Sequence, residues 1–130
     1  MTPPLTIDHV VIAVTDADAS NRFYRDVRGA VVLELELGRV AYRRAGPQLN
    51  VHTPGSTPTP VARDRVRPGN SDLCFAWSGP IAGAVEHLER CGVTVELGPV
   101  PRTGARGPGE SVYFRDPDGS LLEFLSYDRT

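Results

Sequence analysis

Hydrophobic and polar positions follow one order of elements twice along the 130-residue chain. An apolar run over residues 7–14 predicts a buried strand, and apolar side chains three and four apart over residues 20–27 predict an amphipathic helix. Alternating segments over residues 31–37, 40–44 and 48–53 predict three more strands joined by tight turns. The first part of the chain therefore has the order strand, helix, strand, strand, strand.

The same order returns after a segment rich in proline and glycine. The predicted elements are a strand at 72–77, a helix from Pro80 to Gly92, a short strand at 94–97, a Gly/Pro/Arg loop at 99–109, and strands at 111–115 and 121–126. The pattern therefore predicts an internal duplication of a βαβββ unit.

The duplication predicts the domain organisation. We expect one domain over residues 1–130, with a first module at residues 5–53 and a second at residues 71–127. The linker at residues 54–70 carries prolines and glycines that do not suit a central strand or a helix. The expected class is α+β with two βαβββ modules in one chain.

Composition and charge exclude several classes of protein. Fourteen basic against sixteen acidic side chains give a formal net charge of −2, so nucleic acid is not expected as a partner. The apolar runs are too short to span a membrane, and the start of the chain has no basic segment typical of a secretion signal. Cys74 and Cys91 form no disulfide framework, which predicts reduced thiols in a cytoplasmic protein.

Four polar side chains on the predicted strands are the candidate metal ligands. His9 begins the first strand of the first module, and Asp72 begins the corresponding strand of the second. His52 and Glu123 lie in the last strands of the two modules, and the pattern treats them as equivalent. If the modules face each other across a pseudo-twofold axis, two imidazoles and two carboxylates converge on a divalent ion.

Structural roles for the same residues stay open at this point. A histidine at a strand edge is commonly an ordinary polar residue with a hydrogen-bond partner. Glu123 lies among apolar strand residues and needs a cation or hydrogen bonds, which an arginine can also provide. The candidate arginines are Arg102, Arg106 and Arg115.

Several motifs resemble one known superfamily. They are DHVVIAV at residues 8–14, RFYRD at 22–26, YFRDPDG at 113–119 and LE at 122–123. Together they resemble the vicinal oxygen chelate superfamily, which includes glyoxalase I, extradiol dioxygenases, fosfomycin-resistance transferases and bleomycin-binding proteins. Three further segments, QLNVH at 48–52, PGNSDLC at 68–74 and GPVPRTGA at 98–105, are similar to the subgroup called glyoxalase domain-containing protein 5.

The resemblance implies a fold and a metal site. The implied fold is a curved eight-stranded mixed sheet around a cavity. His9, His52, Asp72 and Glu123 match the metal-ligand positions of the glyoxalase I type, although an acid is usual at His52 and a histidine at Asp72. The implied cofactor is a divalent transition metal, and the ligand types do not choose among Fe, Mn, Co, Ni and Zn.

The resemblance also implies contacts with a substrate. Tyr113 matches a substrate-contacting tyrosine, and Arg102 lies in a glycine-rich segment, residues 102–109, that resembles a mobile lid. Either side chain is also consistent with an ordinary solvated position. Family members of this length usually form homodimers, so we expect a homodimer that binds a small molecule.

The expected function follows from this ligand set. We expect a divalent-metal-dependent, glyoxalase-like lyase or isomerase acting on a small metabolite with vicinal oxygens, with Glu123 as the catalytic base. One alternative is a metal-dependent thiol transferase or extradiol-type dioxygenase on the same fold. The other is a metal-free binding protein of the bleomycin-resistance type, which typically lacks a full ligand set.

Overall fold

The computed structural model describes residues 2–128. The chain divides into two compact units, one ending at Pro68 and the other beginning at Gly69, so most of the predicted linker belongs to the first unit. Over the described residues, each unit contains one α-helix and one four-stranded mixed sheet. The predicted α+β fold of two βαβββ modules is confirmed, and its eight strands form two separate hydrogen-bonded sheets.

The first unit has a parallel strand pair at one edge of its sheet. Its elements are β1 (His9–Ala13), α1 (Ala17–Asp26), β2 (Val31–Glu34), β3 (Val40–Arg43) and β4 (Gln48–His52). The strand order is β1-β4-β3-β2, in which β1 and β4 are parallel and the other pairs are antiparallel. β2 is shorter than predicted because the chain turns into a short 3-10 helix at Glu36–Gly38.

The second unit repeats this topology. Its elements are β5 (Asp72–Trp77), α2 (Ile81–Arg90), β6 (Leu97–Gly104), β7 (Gly107–Arg115) and β8 (Leu121–Ser126). The order is β5-β8-β7-β6, again with the first and last strands parallel. Neither helix within residues 2–128 has the length and apolar character needed to cross a bilayer.

Helix α1 covers one face of the first sheet. Asp16 caps it, because its carboxylate accepts a hydrogen bond from the Ala19 N–H at 3.1 Å. The buried rings of Tyr24 on α1 and Tyr42 on β3 stack with centroids 4.9 Å apart. The Ser20 and Tyr42 hydroxyls lie 2.8 Å apart, so the buried polar atoms are hydrogen-bonded.

Helix α2 packs on the second sheet in the same way. Ala84 and Leu88 on the helix are fully buried, and so is Phe114 on β7. The ring of Phe114 lies 4.7 Å from that of Phe124 on β8, between centroids. Because side chains alternate along a strand, the residues directly before and after Phe114 and Phe124 lie on the opposite face of the sheet.

The prediction of a loop at residues 99–109 is wrong, because this segment forms most of a β-hairpin between β6 and β7. Pro99 and Pro101 lie on β6, which is an edge strand where a missing N–H is tolerated. Gly109 permits a close approach to β8, since a Cβ there would lie 2.5 Å from the Ser126 carbonyl oxygen. The tip of the hairpin is held by Arg106, whose backbone amide donates to the Tyr127 hydroxyl at 3.2 Å. Residues 102–109 therefore belong to a hairpin and do not form the loop that was expected to act as a mobile lid.

Candidate functional site

Glu123 is the best-anchored candidate residue of the second sheet. The strand register places it between Cys74 on β5 and Tyr113 on β7, so the three side chains share one face. The fully buried Ser111 donates a hydrogen bond of 2.5 Å from its hydroxyl to Oε2 of Glu123. Glu123 itself is only half-buried, so its carboxylate is both oriented and accessible.

Cys74 is a second neighbour of the Glu123 carboxylate. Partial burial, the negative charge of Glu123 and the hydrogen bond to it raise the pKa of the Cys74 thiol to about 12. The sulfur is therefore a neutral S–H donor at physiological pH, unlike the thiolate that nucleophilic catalysis requires.

Asp72 lies on the same face as Glu123. It pairs with Leu121, two residues before Glu123 on the adjacent strand, and it is exposed. A shift of two residues keeps the same face of a sheet, so the structure places both predicted carboxylates on one surface. That surface carries the acidic half of the predicted ligand set.

Arg102 and Tyr113 lie together beside this surface. The Arg102 Nε donates to the Tyr113 hydroxyl at 2.9 Å, and the guanidinium carbon lies 5.4 Å from the ring centroid. Tyr113 pairs with Glu123 across β7 and β8. The two predicted substrate contacts are therefore neighbours, and their role in binding stays a prediction.

The other two candidate arginines have partners elsewhere. Arg115 donates two hydrogen bonds to the Glu96 carboxylate, at 3.0 and 2.9 Å, and this pairing lowers the pKa of Glu96. The Arg106 guanidinium lies 4.3 Å from the centre of the Tyr127 ring. The Glu123 carboxylate is instead satisfied by a hydroxyl and a thiol.

His9 is the predicted ligand with the most suitable local contact in the first sheet. Its Nδ1 lies 2.9 Å from Oδ2 of Asp8. A carboxylate at Nδ1 fixes the proton there and leaves Nε2 as the electron-pair donor, which is the usual arrangement of a metal-binding histidine.

The position of His52 differs from the expectation. The parallel register pairs His9 with Gln48 and Ala13 with His52, so His52 lies four residues, about 13 Å, further along the sheet than His9. In the second sheet, Glu123 stands two residues after the partner of Asp72.

The corresponding position in the first sheet is that of Asn50, two residues after Gln48. The expected equivalence of His52 and Glu123 is therefore wrong by two residues. The sequence does contain a signal that Asn50 corresponds to Glu123. Asn50 lies between the apolar residues Leu49 and Val51, and Glu123 lies between the apolar residues Leu122 and Phe124; all four are buried in the structure.

A cavity of about 520 Å³ lies on this face of the first sheet. His9, Asn50 and His52 all line it, together with Leu35 and Leu37 of the segment that follows β2. This volume suits a small organic molecule. The first unit thus offers two imidazoles and an amide to one cavity.

The predicted ligands are not gathered into one ready cluster. Within residues 2–128, no group of three His, Cys, Asp or Glu side chains is placed to hold a metal ion. In the first sheet, the position that corresponds to Glu123 is occupied by Asn50. Its side-chain amide is neutral and can offer only its oxygen to a metal ion.

Comparison with known proteins agrees with the topology. The profile of the Glyoxalase/Bleomycin resistance protein/Dioxygenase superfamily matches residues 6–124. The chain therefore belongs to this superfamily, which confirms the resemblance stated from the motifs. The narrower likeness to the glyoxalase domain-containing protein 5 subgroup stays a prediction.

Three relatives show how far the similarity extends. Virulence protein STM3117 of Salmonella typhimurium is 39% identical over 93% of this chain and 83% of its own length. Glyoxalase domain-containing protein RDO1 of Mycosarcoma maydis is 41% identical over 94% of this chain and 68% of its own. The crystal structure of a lactoylglutathione lyase from Agrobacterium tumefaciens superposes with a TM-score of 0.72 at 25% identity, covering 96% of each chain.

Proposed function

We propose that this protein is a divalent-metal-dependent lyase or isomerase of the glyoxalase type that acts on a small molecule with adjacent oxygen atoms. The observation that carries the proposal is the Glu123 carboxylate, oriented by Ser111 and accessible on the sheet face that also bears Asp72. The similarity to a lactoylglutathione lyase supports this reaction class.

The donor types suit a divalent transition metal. His9, with Nδ1 engaged by Asp8, and the carboxylates of Asp72 and Glu123 would hold the ion, and nitrogen and oxygen donors of this kind suit Fe, Mn, Co, Ni or Zn. The strand register favours Asn50 over His52 as the fourth donor. When bound, the ion supplies a positive charge that polarises adjacent substrate oxygens.

Glu123 is the proposed proton carrier. An oriented carboxylate can accept a proton from a carbon beside a carbonyl group and return it to the neighbouring carbon. The Ser111 hydroxyl fixes the direction of the carboxylate, and the neutral Cys74 thiol adds a second hydrogen bond. Tyr113 on the neighbouring strand β7, with Arg102 hydrogen-bonded to it from β6, would orient a polar part of the substrate.

A metal-free binding protein is the second candidate. The side chain of Asn50 is compatible with it, since a neutral amide binds a metal ion more weakly than the Glu123 carboxylate that occupies the corresponding position of the second sheet. In that case the cavity of the first unit would bind its ligand without chemical change. The metal content of the purified protein distinguishes the metal-dependent enzyme from the metal-free binding protein.

We expect elemental analysis of protein purified without chelator to find close to one transition metal ion for each chain. Replacing His9 or Asp72 with Ala should remove most of it, and Asn50→Ala should weaken retention at least about tenfold. His52→Ala is the matched control in the same strand and should retain the metal.

If His52→Ala loses the metal and Asn50→Ala retains it, His52 is the ligand and Asn50 is not. A wild-type protein that takes up no metal after reconstitution would contradict the enzyme proposal and support the binding protein.

We further propose a homodimer in the cytoplasm. Leu5, Ile7 and Val31 of the first unit are exposed apolar side chains that a second copy could cover. Within the described residues neither Cys74 nor Cys91 is in a disulfide, which suits a reducing compartment. Sedimentation of the purified chain at several concentrations would measure the dimer, and a monomer at every concentration would contradict it.

A further inference from the structure

Three polar side chains form a chain of hydrogen bonds on one face of the first sheet. The Arg43 Nε donates to Oε1 of Gln48 at 3.4 Å, and the Gln48 Nε2 donates to Oδ1 of Asn50 at 2.8 Å. Gln48 and Asn50 lie two residues apart on β4, so they share a face. Leu49 between them pairs with Tyr42, which packs against α1, so the hydrogen bonds lie on the face turned away from this helix.

Arg43 fixes the direction of this chain of hydrogen bonds. A guanidinium group has only N–H donors, so Gln48 presents its oxygen to Arg43 and its nitrogen to Asn50. The Gln48 nitrogen can also only donate, so Asn50 presents its oxygen to Gln48. Reversing either amide would bring two donors against each other. The Asn50 nitrogen therefore lies on the arm of the amide that points away from Gln48.

The nitrogen of Asn50 is available to a ligand of the first unit. Asn50 lines the cavity of about 520 Å³, and Gln48 does not. Asn50 is half-buried, and within residues 2–128 its Nδ2 has no hydrogen-bond partner. Polar groups in such positions are normally satisfied by water or by a ligand. Asn50 thus offers N–H donors in a fixed orientation to a molecule that fills the cavity.

The surroundings of Asn50 suit an acceptor atom on the ligand. None of the described lining residues of the cavity is acidic, so no carboxylate there competes for the Asn50 donors. Two other lining side chains donate to the backbone of the chain itself, Ser56 to the Thr53 carbonyl at 2.7 Å and Arg39 to the Glu36 carbonyl at 3.3 Å. A neutral amide donor matches a carbonyl oxygen, because neither group brings a charge that must be compensated.

We propose that Asn50 determines the specificity of this cavity by donating a hydrogen bond from Nδ2 to a carbonyl oxygen of the ligand, and that Gln48 is the residue that positions Asn50. The inference rests on the proposed function, because it assigns one of the adjacent oxygens of the substrate to a carbonyl group. The Asn50 oxygen keeps a second lone pair beside its hydrogen bond to Gln48, so this role is compatible with the metal contact proposed for the same oxygen.

Calorimetric titration of the full chain with pyruvate and with lactate tests the proposal. The two anions have the same charge and differ in one group, a carbonyl in pyruvate and a hydroxyl in lactate, so the ratio of their Kd values is insensitive to a change in charge at the site. Asn50→Asp keeps the size of the side chain and the acceptor for Gln48, but it removes the donors and gains an acceptor for a hydroxyl proton. We expect this ratio to move about tenfold in favour of lactate.

Gln48→Glu tests the positioning role from outside the cavity. The new carboxylate only accepts hydrogen bonds, so it keeps the contact with Arg43 and draws the Asn50 nitrogen toward itself, which turns the Asn50 oxygen to the ligand. The Kd ratio should again move toward lactate, by about fivefold or more. Gln48→Met is the matched control, since it removes the hydrogen bond without imposing either orientation of Asn50, and it should change the ratio by less than about twofold.

Three results would overturn the proposal. They are no saturable binding of either anion by the wild-type chain up to about 50 mM, an unchanged ratio in Asn50→Asp, and equal shifts of the ratio in Gln48→Glu and Gln48→Met. The thermal unfolding midpoint of each variant shows whether a change in binding reflects a loss of fold.

Metal content measured on the same samples separates this inference from the proposed function. The expected shift of the ratio in protein that holds no metal would support the role of Asn50 and contradict the metal-dependent enzyme. An unchanged ratio in metal-loaded protein would contradict the role of Asn50 alone.

Discussion

Replacing Glu123 with Gln is expected to lower turnover by about three orders of magnitude while the protein keeps its fold. The amide has the same size and can still accept a hydrogen bond from Ser111, but it cannot take up a proton. Metal content should fall much less than turnover, because the other proposed donors remain. The measurement is the rate per bound metal ion, with compounds bearing adjacent oxygens, beginning with the lactoylglutathione reaction.

Ser111→Ala is the matched variant for this experiment. It keeps the Glu123 carboxylate and removes its hydroxyl partner, so kcat should fall by about tenfold with little change in metal content. A parallel loss of turnover and metal in Glu123→Gln would contradict a role in proton transfer and leave Glu123 as a ligand alone.

Gly98→Ala is expected to lower the free energy of unfolding by about 4 kcal/mol, from backbone strain and a steric clash together. Gly98 has a φ of +114°, and a Cβ there would lie 3.0 Å from the Val112 Cα and closer still to the Ser111 carbonyl oxygen. Both atoms belong to the backbone of β7, which cannot move away without breaking its pairing with β8. Urea denaturation followed by circular dichroism measures the loss.

Gly107→Ala separates the clash from the backbone strain. Gly107 has nearly the same φ, +113°, but nothing lies within 4 Å of the position of its Cβ. Its substitution should cost about 1–3 kcal/mol from conformation alone. Equal losses at both glycines would show that the close approach of Gly98 to β7 contributes nothing.

The fold could be predicted because its elements repeat with clear periodicity. The helix patterns at 20–27 and 81–88 and the buried strands next to them indicate two equivalent units. The β6–β7 hairpin could not be predicted, since Pro99 and Pro101 are typical of loops and only an edge position makes them compatible with a strand.

The sequence could place Asp72 and Glu123 on strands of one sheet, but it could not place His52 along the other sheet, and metal binding by these residues stays a prediction. Alternation tells which face a strand residue occupies, and a shift of two residues leaves that face unchanged. His52 and Asn50 therefore satisfy the same pattern, and only the pairing of β1 with β4 distinguishes them. The Ser111 partner of Glu123 was missed because it comes from a neighbouring strand.

The parallel pairing of the first and last strands of each module affects how the protein folds during synthesis. Within residues 2–128, β1 pairs with β4 alone and β5 with β8 alone, so each module begins with a strand whose partner is made almost a module later. Such contacts have a high sequence separation, which slows folding and leaves the first strand without its partner in the meantime. We therefore expect each module to become stable in one late step, when its last strand leaves the ribosome, rather than hairpin by hairpin.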